Sequence, residues 1–511
     1  VQGSERLRGC GWACIYSAFL GCAAVDEDTG TSFDDTAALE APLAITDVVV
    51  VGGGAAGLSA ALIARETGAD VLLLEMSDEL GGAARYAQTL LFSGSPQQVE
   101  AGVEDSPEAL IEDWPSFTGG DAGNPWLEQY AALNVAEVMD WLESLGLGLE
   151  FLGETLFASG SVPRLHQLST STAPLTEVLA SHLDAHDFRM QTEVTGLIAQ
   201  DGRVIGVQIA SEKNGDSGWV EAKTVVMATG SFLRDHERFR EVRPDLVGIE
   251  LLNASAPMTD GAGLTMIEGV GGTTKNLAAV GLYLHGTLDP RKGSEGEELA
   301  IDGLNDGIWI NGEAQRFFNE SEFNSFRPAE TVVSSVDGVV WLVVDNREPT
   351  VVVDPMKEDH ETEEVFLSDL VAAGVAAEAA TLEELATAIS VNPTTFESTV
   401  DDYNLFANGE KADEWRTGLE SGESIEHSPF RAVRLFPSTS KAFGGVAVDL
   451  DGRVVDSDGL AIPGLFAAGE LTGMAGGSLV GSLGFAGSLS AVLLSGKIAG
   501  HTAGLEAINA R

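Results

Sequence analysis

The sequence predicts an α/β protein: a doubly wound dinucleotide-binding domain, discontinuous in the chain, with a second α+β domain inserted into it. Three stretches carry that prediction. Residues 46–75, TDVVVVGGGAAGLSAALIARETGADVLLLE, read as strand, glycine turn, helix and second strand. Residues 280–442 shift to short alternating strands and an Ala/Glu-rich piece, and residues 443–511 return to a Gly-rich α/β pattern. The chain then divides into a leader at 1–44, a first nucleotide-domain segment at 45–279, the insertion at 280–442 and a closing segment at 443–511.

The leader has Arg6 and Arg8, an apolar stretch from Gly9 to Gly21, and then Cys22, a pattern resembling a bacterial lipoprotein signal. It is too short to span a bilayer as a helix. The acidic run Asp26 to Glu40 reads as a tether. Export with a lipid on Cys22, to the periplasm or the membrane surface, is the expectation; without it the protein is cytoplasmic.

Next come Gly52, Gly54 and Gly57 in GxGxxG spacing. Gly52 permits the tight turn, Gly54 lets a pyrophosphate approach the backbone, and Gly57 lets helix and strand pack closely. Ala55 and Ala56 open the helix, whose N-terminal amides and dipole favour phosphate. Glu75 ends the second strand, placed to accept a ribose hydroxyl. Gly81-Gly82-Ala83 supply a second glycine pair to wrap the pyrophosphate. Residues 92–105 read as a polar loop with Ser93-Gly94 as a close-approach point.

Residues 106–146 read as helical, with Trp114, Trp126 and Trp141 packing inside. Val194 to Ala210 alternates as a hairpin around Asp201-Gly202, and Lys223 to Gly230 is a buried strand returning to the nucleotide domain. In the insertion, Ile308 to Ile310 and Val339 to Val344 read as strands and Ala372 to Ile389 as helix. Pro463 to Glu470 is a strand, Gly476 to Gly487 a Gly/Ser-rich loop, and Leu489 to Ala499 a small-residue helix.

Charge narrows the partners. The 511 residues carry 28 Lys+Arg against 79 Asp+Glu, a formal net charge of −51, which repels nucleic acid and anionic membranes. The acids are spread along the chain, as in a very soluble or salt-adapted surface. All three cysteines lie in the leader, which leaves the body no disulfide framework or cysteine-rich metal site. His182, His186 and His236 read as surface residues without an acid partner at metal spacing, so no metal is expected.

These pieces, in order over roughly 45–505, resemble the flavoprotein superfamily of fumarate reductases and succinate dehydrogenases, with its 3-ketosteroid dehydrogenases. The resemblance rests on Gly52 to Gly57 with Glu75, Gly81-Gly82, Ala228 to Phe232, Thr259-Asp260-Gly261 and Arg316 to Glu320. It continues through Leu382 to Ile389, Asp402 to Asn404, Gly444-Gly445 and Gly464 to Glu470. It implies FAD in a Rossmann-type domain, with the insertion as a cap over the flavin. Carried over by position, Val194 contacts adenine through its backbone. Ala228, Thr229, Gly230, Asp260 and Gly261 wall the site, and Gly469-Glu470 reach the ribityl chain. The helix from Ser488-Leu489 aims at flavin N1 and O2. Covalent members carry a His near the second glycine pair; none lies between residues 75 and 95, so FAD is expected to be non-covalent.

The implied chemistry is hydride exchange through flavin N5, at a carbon–carbon bond next to a carbonyl or carboxylate, with a protein group moving the proton. Here the chain departs from fumarate reductases. Asn324 stands where they have the proton-donating Arg, leaving Arg327 as the nearest alternative. Ala300 and Gly303 stand near the upstream relay positions, and Gly476 to Gly487 carries no substrate Arg. His285 matches one substrate-binding His and Lys441 the other. Fumarate would lose at least two cationic partners, each worth roughly 1.5–3 kcal/mol, so another enoate or enone is expected. The steroid enzymes use tyrosines instead; of the five here, Tyr283, Tyr86 and Tyr130 are the ones placed to reach the cleft. The alternatives are a 3-ketosteroid-type dehydrogenase and a catalytically lapsed FAD carrier. No second GxGxxG domain for a nicotinamide is evident, so electrons are expected from a quinone or cytochrome.

Overall fold

The computed structural model describes residues 41–87, 89–153, 160–169, 174–211, 215, 217–289, 298–301, 307–320, 329, 338–346, 352–353, 367–415, 423–481 and 483–511. The leader expectation, with Cys22, falls outside them. In chain order the frame is β1 (Ala44–Val51), α1 (Ala55–Glu66), β2 (Val71–Leu74), α2 (Pro107–Thr118) and α3 (Pro125–Leu133). It continues with β3 (Ser217–Met227), β4 (Val280–Leu288), β5 (Phe430–Ala442), β6 (Ala461–Ala467) and α4 (Leu489–Asn509).

Val48 to Val50 are 0% exposed, a continuous apolar run covered on both faces, as parallel strands require. β1 pairs in parallel with β2 and with β3, which pairs in parallel with β6. The short strand Phe188–Arg189 extends the parallel set beyond β2, and Arg453–Val455 closes the other edge antiparallel to β6. The expected hairpin is present as Thr192–Gln200 and Arg203–Ser211, the latter paired with β3. The first and last parts of the chain thus share one sheet.

α4 lies against α1 backbone to backbone. A Cβ on Gly496 would fall 2.3 Å from the Ala56 carbonyl oxygen, and one on Gly500 would fall 2.2 Å from that of Ala60. Gly504 lies over Ala64 in the same way. This stripe, one glycine per turn, lets the C-terminal helix seat on the helix that opens the glycine turn.

A second sheet runs in the order Ile308–Asn311, Val340–Val344, β5, β4, Glu298–Ile301, Val352–Val353. β5, 13 residues long, is its spine. It takes Leu252–Asn253 in parallel and Ala376–Ala379 antiparallel as further partners. Ile308, Ile310, Val343, Leu385, Phe396, Val400 and Tyr403 form a separate apolar core on this sheet.

Three local expectations need correction. Residues 92–105 contain a short helix, Pro96–Glu100, because Ser95 and Gln98 form a reciprocal capping box. The helix read from Ala372 to Ile389 is broken: Gly374, at φ +76°, ends one helix, Ala376–Ala379 pairs with β5, and Leu382–Ala388 restarts behind a Thr381 cap. The final helix runs to Asn509 rather than Ala499.

Candidate functional site

The glycine turn does what its spacing requires. Gly52 has φ +102°, and a Cβ there would lie 2.5 Å from the Ala228 carbonyl oxygen at the end of β3. A Cβ on Gly57 would strike the Gly52 carbonyl oxygen at 1.9 Å. Gly54 meets nothing closer than 3.7 Å, the Gly81 carbonyl oxygen, so open space remains above the start of α1. Gly81 is tied to the turn, its amide donating to the Gly53 carbonyl at 2.9 Å, and it leads into the short helical turn Gly82–Tyr86 containing Ala83. Glu75 accepts from the Gly53 amide at 2.6 Å and from the Ser77 amide at 2.8 Å. Its carboxylate is thereby fixed at the rim of the turn.

The other expected cofactor residues join this set through named bonds. The Ala228 amide donates to Val51 at 2.8 Å, which holds the Ala228–Gly230 turn beside Gly52; Gly230 has φ +82°. Gly261 donates to the Ser231 carbonyl at 3.3 Å, and Asp260, exposed, caps Ala262. Val194 is buried on the hairpin, and the amide of Thr192, two residues before it, donates to the Glu75 carbonyl. Ser93 is held by Asn134, whose amide group bonds both its backbone and its hydroxyl, and Gly94 has φ +72°. Gly469 packs on Ala56 and donates to the Ser495 hydroxyl at 3.0 Å. Ser488, just before Leu489 opens α4, bridges to Leu90. The buried Thr229 hydroxyl has no hydrogen-bond partner and lies against Gly263. The open cradle at Gly54 and the rim carboxylate of Glu75 fit the phosphates and ribose of a dinucleotide.

Glu470 connects the cradle to the second sheet. Its carboxylate accepts from the Ala442 amide at 2.8 Å. Burial pushes its pKa up, opposed by that bond, by the Lys441 charge and by Ser231. β4 pairs with β5 so that Gly281 faces Lys441 and Tyr283 faces Ser438. A register shift between Tyr283 and Gly286 makes a bulge where His285 sits on the strand. Lys441 therefore lies near enough to Glu470 for their charges to interact. Arg327 and Asn324 lie outside the described residues.

Other candidates are located elsewhere. Tyr130 is not a cleft residue: it is buried between Trp114 and Phe485, its hydroxyl bonded to the Leu91 carbonyl and Ser490. Arg316 braces Glu320 and Asp413 with four bonds of 2.7–2.8 Å, a structural role. The histidine expectation needs correction: His186 does have acid neighbours, Asp184 and Asp187, within ligand distance of one another. Arg65 already pairs with both acids.

Sequence reading missed the pins on the Gly476 to Gly487 loop. Trp114 donates to the Leu479 carbonyl at 2.8 Å, Asn276 to that of Val480 at 3.1 Å, and Asn124 to that of Ser478. Indole and amide donors distant in sequence hold a loop whose own composition suggests freedom; the only local signal was Asn124 before Pro125, a helix cap.

A family model described as FAD binding domain matches residues 47–483. The fumarate reductase (cytochrome) of Shewanella frigidimarina is 29% identical over 473 residues, covering 91% of this chain and 78% of that protein. The urocanate reductase of Eggerthella lenta is 27% identical over 489 residues, covering 91% and 76%. The solved open conformation of a flavocytochrome c3 fumarate reductase matches with TM-score 0.70 at 25% identity, covering 91% of this chain and 79% of that one. The mixed α/β fold is thus that of the flavocytochrome fumarate reductases, FAD is the cofactor, and the chemistry is oxidoreduction at carbon–carbon bonds. With most of its length inside the matched family model, the chain belongs to the FAD binding domain family of the fumarate reductase flavoproteins.

Proposed function

We propose that this FAD-dependent oxidoreductase reduces a carbon–carbon double bond conjugated to a carbonyl or carboxylate, on an acceptor other than fumarate. The observation that carries the reading is the β4–β5 pairing, which sets Gly281 opposite Lys441 and Tyr283 opposite Ser438, with the Lys441 charge acting on Glu470. In this reading residues 45–279 and 443–511 form a Rossmann-type FAD domain and 280–442 its cap. Gly52 to Gly57 and Gly81-Gly82 hold the pyrophosphate, Glu75 the adenosine ribose, and Glu470 the ribityl chain. FAD is non-covalent and, when bound, supplies the hydride at N5.

The chain's own groups do the rest. Lys441 and Tyr283 orient and polarise the acceptor's oxygen, and the protein excludes water by packing the pinned Gly476 to Gly487 loop over the site. Arg327 is the proposed proton donor to the neighbouring carbon. Electrons arrive from an external carrier, a quinone or a cytochrome, at an exported protein. The family accommodates different acids: one relative is named for fumarate, with two carboxylates, and another for urocanate, with one.

The test is anaerobic reoxidation of the reduced flavin by fumarate, crotonate and a steroid enone, followed by its visible spectrum. Reoxidation by crotonate at least about 10-fold faster than by fumarate supports the reading, the missing cations being worth a decade or more. Fumarate as the best acceptor contradicts it. Fast reoxidation by the steroid alone favours the ketosteroid alternative, and none by any acceptor favours the lapsed carrier.

A further inference from the structure

α3 runs into a π-helical turn, Asn134–Met139, before the chain resumes as an α-helix at Asp140. Such turns are rare and recur at functional sites. Asn134 and Met139 are both 0% exposed, although residues five apart in a plain α-helix point roughly 140° away from each other. The wider turn keeps Met139 in the apolar core while Asn134 is buried as well. Lys497 of α4 braces it: its ammonium donates to the Glu137 carbonyl at 2.6 Å and lies 4.6 Å from the centre of the Trp141 ring.

A fully buried amide is costly unless its hydrogen-bonding groups are met. Asn134 meets them largely on one residue. Its Oδ1 accepts from the Ser93 amide at 3.3 Å, and its Nδ2 donates to the Ser93 hydroxyl at 3.3 Å and to the Ala131 carbonyl at 3.2 Å. The orientation of the amide is forced, because the Ser93 N–H only donates and the Ala131 carbonyl only accepts. The Ser93 oxygen is thus occupied as an acceptor. Its own hydrogen, in a residue 2% exposed, has no acceptor among the described residues. A buried O–H in that state is destabilising until an acceptor is bound against it.

The preceding strand fixes where that hydrogen is. Leu90 bridges to Ser488, and the Leu91 amide donates to the Gly487 carbonyl at 3.1 Å and to the Ser490 hydroxyl at 3.3 Å. Ser93 therefore stands two residues beyond a segment tied to the first turn of α4, the helix that seats on α1 of the cradle.

We propose that Asn134 is a positioning residue for the flavin: it holds Ser93 so that the serine hydroxyl donates a hydrogen bond to bound FAD and raises its reduction potential. This rests on the reading of the Ser93-Gly94 loop as part of the FAD site. A donor there favours the more electron-rich, negatively charged reduced cofactor over the oxidised one. The proton stays on the serine, and only the strength of the bond changes.

The midpoint potential of the FAD-loaded full chain is measured by anaerobic reductive titration against a reference dye, with the denaturation midpoint alongside. The variants are Ser93→Ala, Ser93→Thr, Asn134→Leu and the double variant Ser93→Ala/Asn134→Leu. Ser93→Ala removes a single hydroxyl and is expected to fold. It should lower the preference for the reduced cofactor about 10- to 100-fold, a potential about 30–60 mV more negative for two electrons. Ser93→Thr keeps the hydroxyl and should keep the wild-type potential. Asn134→Leu, matched in size, should shift the potential in the same direction as Ser93→Ala, and combining the two should shift it no further. An unchanged potential in Ser93→Ala overturns the proposal whatever Asn134→Leu does. A lower denaturation midpoint with an unchanged potential in Asn134→Leu, or additive shifts in the double variant, overturns the positioning role. A folded wild type that takes up no FAD sinks the FAD-site reading itself, an outcome distinct from FAD bound at a potential the variants do not move.

Discussion

At the scale of single residues, the chain keeps a few buried ionisable groups whose states are set by their partners. Asp47 on β1 receives Lys223 at 2.9 Å, the Asp70 amide at 2.8 Å and Arg511. Burial alone would raise its pKa, but Arg511, that amide and Lys223 outweigh burial and hold it at about 2. A depressed carboxylate stabilises the fold above its unfolded pKa, so this contribution, about 2 kcal/mol, is present above pH 4 and lost as pH falls toward 2. Asp47→Asn should remove that acid-side slope in denaturation measured across the same window. His166 has the opposite chemistry. Its ring donates from Nδ1 to the Arg164 carbonyl at 3.0 Å and accepts from the Ser95 hydroxyl at 2.9 Å, so it is satisfied while neutral. Burial lowers its pKa to about 4 despite the carbonyl. The unfolded imidazole takes its proton near 6.5 and the folded one does not until about 4. Stability should therefore fall as pH falls through that interval, by about 3 kcal/mol, and His166→Gln should flatten the profile there. A profile unchanged by the substitution would show that His166 is not the group responsible. The glycines and Glu75 were legible in the sequence because backbone geometry dictates their identity. The Lys441–Glu470 proximity was not, because a strand register made far from either residue creates it.

At the scale of elements, legibility followed locality. β1, α1 and β2 were readable because pattern, turn and cap agree in one continuous stretch. Ala376–Ala379 reads AAEA, a helix-favouring run, yet pairs with β5 because tertiary context overrides propensity. The glycine stripe of α4 was visible as letters but not as packing, since its meaning lies in Ala56, Ala60 and Ala64 of α1. Gly500→Leu should drive a side chain into the Ala60 carbonyl and destabilise the protein by about 1–3 kcal/mol or more, read as a lower denaturation midpoint. Because α4 begins at Leu489, beside the cradle, the same change should weaken FAD binding. Leu substituted at exposed His501 on the same helix should do neither.

At the scale of the whole molecule, the cofactor cradle is assembled from both ends of the chain while the second sheet is built between them. The net charge of −51 repels itself on the compact fold, and salt screens that repulsion. Melting temperature should accordingly rise between low ionic strength and molar salt; a flat or falling trend would rule out salt adaptation. Among the described residues no helix is long and apolar enough to cross a membrane. In the proposed reading the glycine turn, Glu75 and Glu470 form an FAD site serving double-bond reduction. The most direct test is to release and quantify the flavin from the purified, folded full chain by acid precipitation and absorbance. One FAD per chain is expected in the supernatant, with its yield cut sharply in Glu75→Ala. A folded protein that neither retains FAD nor takes it up on titration would contradict an FAD site at the glycine turn.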